Sequence, residues 1–88
     1  MQILWDIEKN RKLIAERGLS FETFAALILE KKYLAILKNP TRGNQKIFVI
    51  PFQNYTYIVP FTIDKSRNII LKTVFPSRKY HKIYGEKK

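Results

Sequence analysis

The sequence predicts an α+β domain of two layers: an N-terminal helical hairpin packed on an antiparallel β-meander of about four strands, followed by a short C-terminal helix. Three observations carry that expectation. Apolar residues as far as Leu29 recur at helical spacing, the pattern turns strand-like from Tyr33, and Pro76-Ser77 stops the last strand ahead of a basic tail. Eighty-eight residues leave room for one core, so residues 1–88 are read as a single domain.

Ile3-Leu4-Trp5 is apolar and suits a short strand. Asp6 follows as a helix N-cap, because its carboxylate accepts from free first-turn N–H groups and its charge suits the positive helix end. Ile7, Asn10, Leu13, Ile14 and Arg17 form a narrow stripe at 3- and 4-residue spacings. Gly18 ends the helix, since the left-handed C′ position carries a penalty for any residue with a Cβ. Ser20 caps a second helix, with Glu22 in its first turn. Phe21, Phe24, Ala25, Leu27 and Ile28 are its buried side, and Lys31 and Lys32 complement its C-terminus.

Tyr33–Leu37 is a short apolar run, and Asn39–Asn44 is turn chemistry. Strands are expected over Gln45–Phe52, Tyr55–Thr62 and Asn68–Phe75, joined by Gln53-Asn54 and by the turn Asp64–Arg67. Gln53-Asn54 reads as a two-residue hairpin loop, although it lacks the favoured glycine. The first two of these strands are apolar at both parities, so they are placed centrally and covered on both faces. Pro51 and Pro60 cannot donate to a ladder, and each marks a bulge, an end or a free edge. Ser77 caps a helix of roughly 78–84, and Gly85–Lys88 is a loose charged end.

Charge narrows the function classes. Seventeen Lys and Arg against seven Asp and Glu give +10, with +7 of it in residues 45–88. An acidic solvating protein is excluded, and an anionic partner is expected. Apolar residues at 45% and aromatics at 14% suffice for a core, which excludes a mainly disordered basic tail. Without cysteine there is no disulfide framework and no thiolate metal site, and a lone histidine makes no zinc site within one chain. No cofactor and no metal are therefore expected. The longest apolar run is six residues, Phe24–Leu29, far below the ~20 that span a bilayer. Asp6 and Glu8 so near the start argue against a signal peptide, so a cytoplasmic protein with no membrane partner is expected.

The segment Pro76–Tyr84 holds the sharpest chemical signal. It gathers Arg78, Lys79 and Lys82 with the single histidine, His81, and two tyrosines. Arg78 offers a planar fork to phosphate, while Lys79 and Lys82 act as point charges. An imidazole can take or give a proton. Tyr80 and Tyr84, four apart on a helix, are placed to stack on bases, and Lys72 adds a further cation. Metal-free RNA cleavage needs a base for the 2′-OH, cations for the charged phosphorane and an acid for the leaving oxygen. On this reading Arg78, Lys79 and His81 are catalytic, and Lys72, Tyr80, Lys82 and Tyr84 bind nucleic acid. The plainer reading is a solvated basic helix whose tyrosines pack on the sheet.

Elsewhere the structural readings are favoured. Trp5 beside Asp6 anchors a cap. Lys9, Arg11, Lys12 and Arg17 form the polar side of an amphipathic helix, or else extend an RNA-binding face. Phe48, Phe52, Tyr55, Tyr57 and Phe61 alternate with core residues and lack the glycine-aromatic motif of an RNA-recognition sheet. Paired carboxylates, a Gly-rich phosphate loop and a Ser-His-Asp set are all missing.

Trp5-Asp6-x-x-Lys9-Asn10, then Gly18-Leu-Ser-Phe21-Glu22, then the meander, then Ser77-Arg78-Lys79 with a basic tail, resembles the BrnT-type toxins of bacterial type II toxin–antitoxin systems. That resemblance covers nearly the whole chain. It implies a RelE-like α+β fold and a ribonuclease that cuts mRNA or ribosome-associated RNA and blocks translation. It also implies inhibition by a cognate antitoxin, a ribbon-helix-helix dimer through which operator DNA is bound. By the same resemblance Arg78 and Lys79 fall on the family's Arg-Arg pair, and Lys82 on a further basic position. The chain departs from the pattern at Tyr80, where a small residue is usual, and at Tyr84, where an acidic one is common. His81 is not part of the pattern, so its role rests on chemistry alone. The other function class is a non-catalytic basic module that binds nucleic acid or a protein partner.

Overall fold

The computed structural model describes residues 1–85; of the loose end expected at 85–88, Gly85 is instead the last residue of an ordered turn, and 86–88 lie outside the described residues. The element order is β1 (Ile3–Leu4), α1 (Ile7–Arg17), α2 (Phe21–Leu29), β2 (Ala35–Lys38), β3 (Lys46–Phe52), β4 (Tyr55–Ile63), β5 (Ile69–Leu71), β6 (Phe75–Pro76) and α3 (Arg78–Tyr80), which continues as a π-wound turn His81–Gly85. The architecture is α+β, but the sheet is larger than expected and mixed. Its order is β1-β5-β4-β3-β2, with β6 also pairing β4. The expected antiparallel meander is corrected at β1, which pairs parallel with β5, Ile3 opposite Ile69. Gln2 fixes that strand, because its C=O accepts from the Ile69 N–H at 2.8 Å and its N–H donates to Asn68 Oδ1 at 3.0 Å.

The helical hairpin forms as its caps dictate. Asp6 Oδ1 accepts from the N–H groups of Glu8 and Lys9, Gly18 adopts φ 66°, and Ser20 accepts from the Thr23 N–H. Asn10 is buried and joins the two helices: its Oδ1 accepts from the Phe21 N–H at 2.8 Å, and its Nδ2 donates to Glu22 at 2.7 Å. Trp5 stacks on Phe21 at 5.9 Å between ring centroids.

β3 and β4 lie centrally and are covered on both faces. On one face Phe48, Ile50, Val59 and Phe61 pack against Leu13, Phe21, Phe24 and Ile28 of the helices. On the other, Ile47, Val49 and Ile58 are covered by Tyr80 and Tyr84. The hairpin loop has φ 51° at Gln53 and 63° at Asn54, the two positive values of a type I′ turn, reached without glycine.

The strand expected over Asn68–Phe75 is broken into β5 and β6, and Pro60 supplies the reason. Leu71 pairs with Phe61, but Phe75 pairs with Ile58, so residues 72–74 hold one more residue than the β4 segment opposite. This is a one-residue bulge. The Pro60 C=O still accepts from the Lys72 N–H at 2.8 Å, and its ring nitrogen has no hydrogen to return. The released segment turns Val74 into the helix-side core, where it is fully buried. Pro51 solves the same problem at an edge. It pairs with Thr56, whose C=O is engaged by Ser77 on the opposite side, so its missing donor faces the flank of β3 beyond the end of β2.

Candidate functional site

The C-terminal segment is tied to the start of β4. The Ser77 N–H donates to the Thr56 C=O at 3.0 Å, and Ser77 Oγ accepts from the Tyr80 N–H at 3.3 Å. That cap starts α3 as expected, but the helix is short and continues with the wider i→i+5 winding from His81. His81 is thereby brought to the hairpin end. Its Nδ1 lies 3.0 Å from Thr56 Oγ1, and its ring stacks on Tyr55 at 4.2 Å and 25°. Gly85 closes the arrangement from the next turn, where a Cβ would overlap both the imidazole and the Thr56 hydroxyl.

His81, Thr56, Tyr55, Gln53, Asn54 and Gly85 line an open cleft of about 560 Å³. The imidazole is held by a ring stack and one hydrogen bond, with Nδ1 as the engaged nitrogen. A threonine hydroxyl can donate or accept, so it serves either protonation state of the ring. A group so placed can move a proton to or from a ligand in the cleft.

The other expected site residues do not all gather there. Arg78, Lys79 and Lys82 are exposed and lie outside the cleft lining. Arg78 and Lys82 precede and follow His81 by three residues and one, and Arg78 shares its helical flank. Lys79 sits with Nζ 5.4 Å from the Tyr80 ring centroid. Tyr80 and Tyr84 stack on one another at 6.5 Å and cover the sheet, as the plainer reading has it. Lys72 sits at the bulge, away from His81. Among the described residues the ion pair is Arg11 with Glu8, so none of these cations is neutralised by one.

Compared by sequence, the chain matches no protein-family model and no curated protein. Among solved structures it matches the Brucella abortus ribonuclease toxin BrnT, with a TM-score of 0.64 and 23% identity over 88% of this chain and 96% of that one. The chain has the BrnT fold. At that identity the likeness to BrnT is one of fold, and the side chains of the cleft must be argued from their own geometry.

Thr56, Tyr55 and Gly85 were missing from the sequence-based site. Thr56 is 25 residues from His81 and meets it only through strand pairing. Tyr55 carried a signal as one of five clustered aromatics, but it read as core. The other four do pack in the helix-side core, whereas Tyr55 stacks on His81.

Proposed function

We propose that this chain is a toxin that cleaves RNA by using the 2′-OH as nucleophile, without a metal. The observation that carries the reading is the whole-length likeness to a ribonuclease toxin, 88% of this chain on 96% of that one. The cleft supports it by holding His81 in a fixed orientation at an open site on a chain of net charge +10. His81 moves the proton, as base for the 2′-OH or acid for the departing 5′-oxygen. Arg78, on the same flank, stabilises the charge that develops on the phosphorane, with Lys79 and Lys82 adding to the local positive field. The substrate is mRNA or ribosome-associated RNA, and cleavage stops translation. A cognate antitoxin of the ribbon-helix-helix type holds the toxin inactive, as in RelE-like systems.

A second reading is favoured by two observations: the tyrosines face the sheet, and Arg78 and Lys79 lie outside the cleft lining. The chain would then be a basic binding module without catalysis. Controlled expression separates the two. The enzyme reading expects growth arrest with shortened mRNA, relief by His81→Ala or by Arg78→Ala with Lys79→Ala, and retained antitoxin binding by every variant. Loss of His81 should slow cleavage about 10²–10⁴-fold. Cleavage should persist in excess chelator. Intact RNA with the wild type, both in cells and with purified ribosomes, overturns the proposal.

A further inference from the structure

A cationic groove lies farther along β4, away from the His81 cleft. Two hollows of about 440 and 360 Å³ share Lys9, Lys72 and Thr73 as their common wall. The first adds Arg42 and Phe75, and the second adds Lys12 and Arg17. Five cations thus meet one acid, Glu16, and none of them is in an ion pair among the described residues. They come from α1, from the 39–45 loop and from the β5–β6 bulge, so tertiary folding has gathered them.

The bulge decides what the groove contains. In a regular strand Lys72 and Phe75, three apart, face opposite sides of the sheet. Here Lys72 bonds to Pro60 and Phe75 pairs with Ile58, and these partners share a parity on β4. The extra residue therefore puts the cation and the aromatic ring on one face, that of Ile58 and away from the helices, and Phe75 stays 37% exposed there. An exposed ring among cations suits single-stranded nucleic acid, with backbone charge tracked by Lys and Arg and a base on the ring. An acidic peptide would use the cations and leave Phe75 in water.

We propose that this groove binds the single-stranded RNA substrate beside the cleavage site, with Lys9, Arg42 and Lys72 along the backbone, Phe75 stacked on a base, and Lys12 and Arg17 of the adjoining hollow extending the positive field. The proposal rests on the ribonuclease reading and extends it. Pro60, at the groove, and Thr56, at the cleft, are four residues apart on β4, about 13 Å at ~3.3 Å per residue. One strand of RNA can therefore occupy both.

Fluorescence anisotropy with 2′-O-methylated RNA, which lacks the nucleophile, tests binding apart from cleavage. Phe75→Ala should weaken binding about tenfold. Lys9→Gln with Lys72→Gln should weaken it and reduce the slope of log affinity against log salt by about 1.4, at ~0.7 per phosphate contact. A charge-matched pair on other surfaces, Lys32→Gln with Lys65→Gln, should change neither as much. Melting curves establish that each variant folds. Groove variants that bind like the charge-matched pair, while the wild type still cleaves RNA, overturn the groove and leave the ribonuclease reading standing. A polyglutamate peptide that binds as tightly as RNA and is insensitive to Phe75→Ala also overturns it, in favour of an acidic protein segment. A wild type that neither binds nor cleaves RNA overturns both.

Discussion

Gly85 and Thr56 fix where the imidazole of His81 can be. A Cβ at Gly85 would overlap the imidazole and the Thr56 hydroxyl, so His81 must leave its place if residue 85 has a side chain. Gly85→Ala is expected to lower cleavage at least tenfold with little change in melting temperature, since the ring can rotate toward solvent. Thr56→Val keeps the shape of a fully buried side chain and removes the partner of Nδ1. It should lower kcat/KM for RNA cleavage about tenfold, since the ring loses the hydrogen bond that orients it. Thr56→Ser, which keeps the hydroxyl, should restore most of the rate, and a Thr56→Val protein that cleaves as fast as the wild type would place His81 outside the proton transfer. His81 was legible as a residue type, since it is the chain's single histidine amid cations. Its two positioning partners were not, because neither carries a local signal for that role.

Among the elements, the hairpin of helices and the β3–β4 turn each depend on a few polar contacts. Asn10 satisfies the buried Phe21 N–H and meets Glu22 at the start of α2. Asn10→Ala leaves that donor unpaired and should cost about 1–3 kcal/mol in urea unfolding. The turn holds Gln53 and Asn54 at positive φ, which Asn-Gly adopts with less strain. Gln53→Asn with Asn54→Gly should therefore raise the melting temperature by several degrees, at roughly 4–8 °C per kcal/mol for a domain of this size. Both ends of α1 and the start of α2 are legible because Asp6, Gly18 and Ser20 act on their own backbone neighbours, whereas the helix expected over 78–84 is α-wound only to Tyr80. The β5–β6 break was not, because the missing donor of Pro60 faces a strand that follows it in sequence. The parallel β1 was likewise hidden, since a two-residue strand takes its direction from its distant neighbour.

For the whole molecule, a net charge of +10 is met among the described residues by the Arg11–Glu8 ion pair, so the folded state carries self-repulsion. Added salt should raise the melting temperature, and so basic a chain should favour a proposed antitoxin whose toxin-binding arm is acidic and whose association slows with salt; an association rate indifferent to ionic strength would contradict such an arm. Acid acts in the opposite direction to added salt. The Asn10 side-chain amide holds the Glu22 carboxyl below its ordinary 4.5, helped by hydrogen bonds from its own backbone and Ser20 and opposed by burial. Backbone donation from Asn68 does the same for Asp64. A lowered folded value means that the contribution to stability is complete above the ordinary range and lost as pH falls through the lowered one. Glu22→Gln should flatten the acid side of the curve of melting temperature against pH, and leave the neutral side nearly unchanged.

The sequence by itself determined the helical hairpin with its caps, the central place of β3 and β4, the turn between them and the cationic character of the surface. Each of these follows from residues close in the chain or from simple counts. Only the tertiary structure decided that Thr56 and Tyr55 hold His81, that Tyr80 and Tyr84 turn inward, that Lys72 and Phe75 share a sheet face, and that Lys72 lines hollows with cations from α1 and the 39–45 loop. Those outcomes depend on strand register and on one inserted residue at the bulge. Register is set by pairing across distant segments, and a shift of one residue moves a side chain to the opposite face of the sheet.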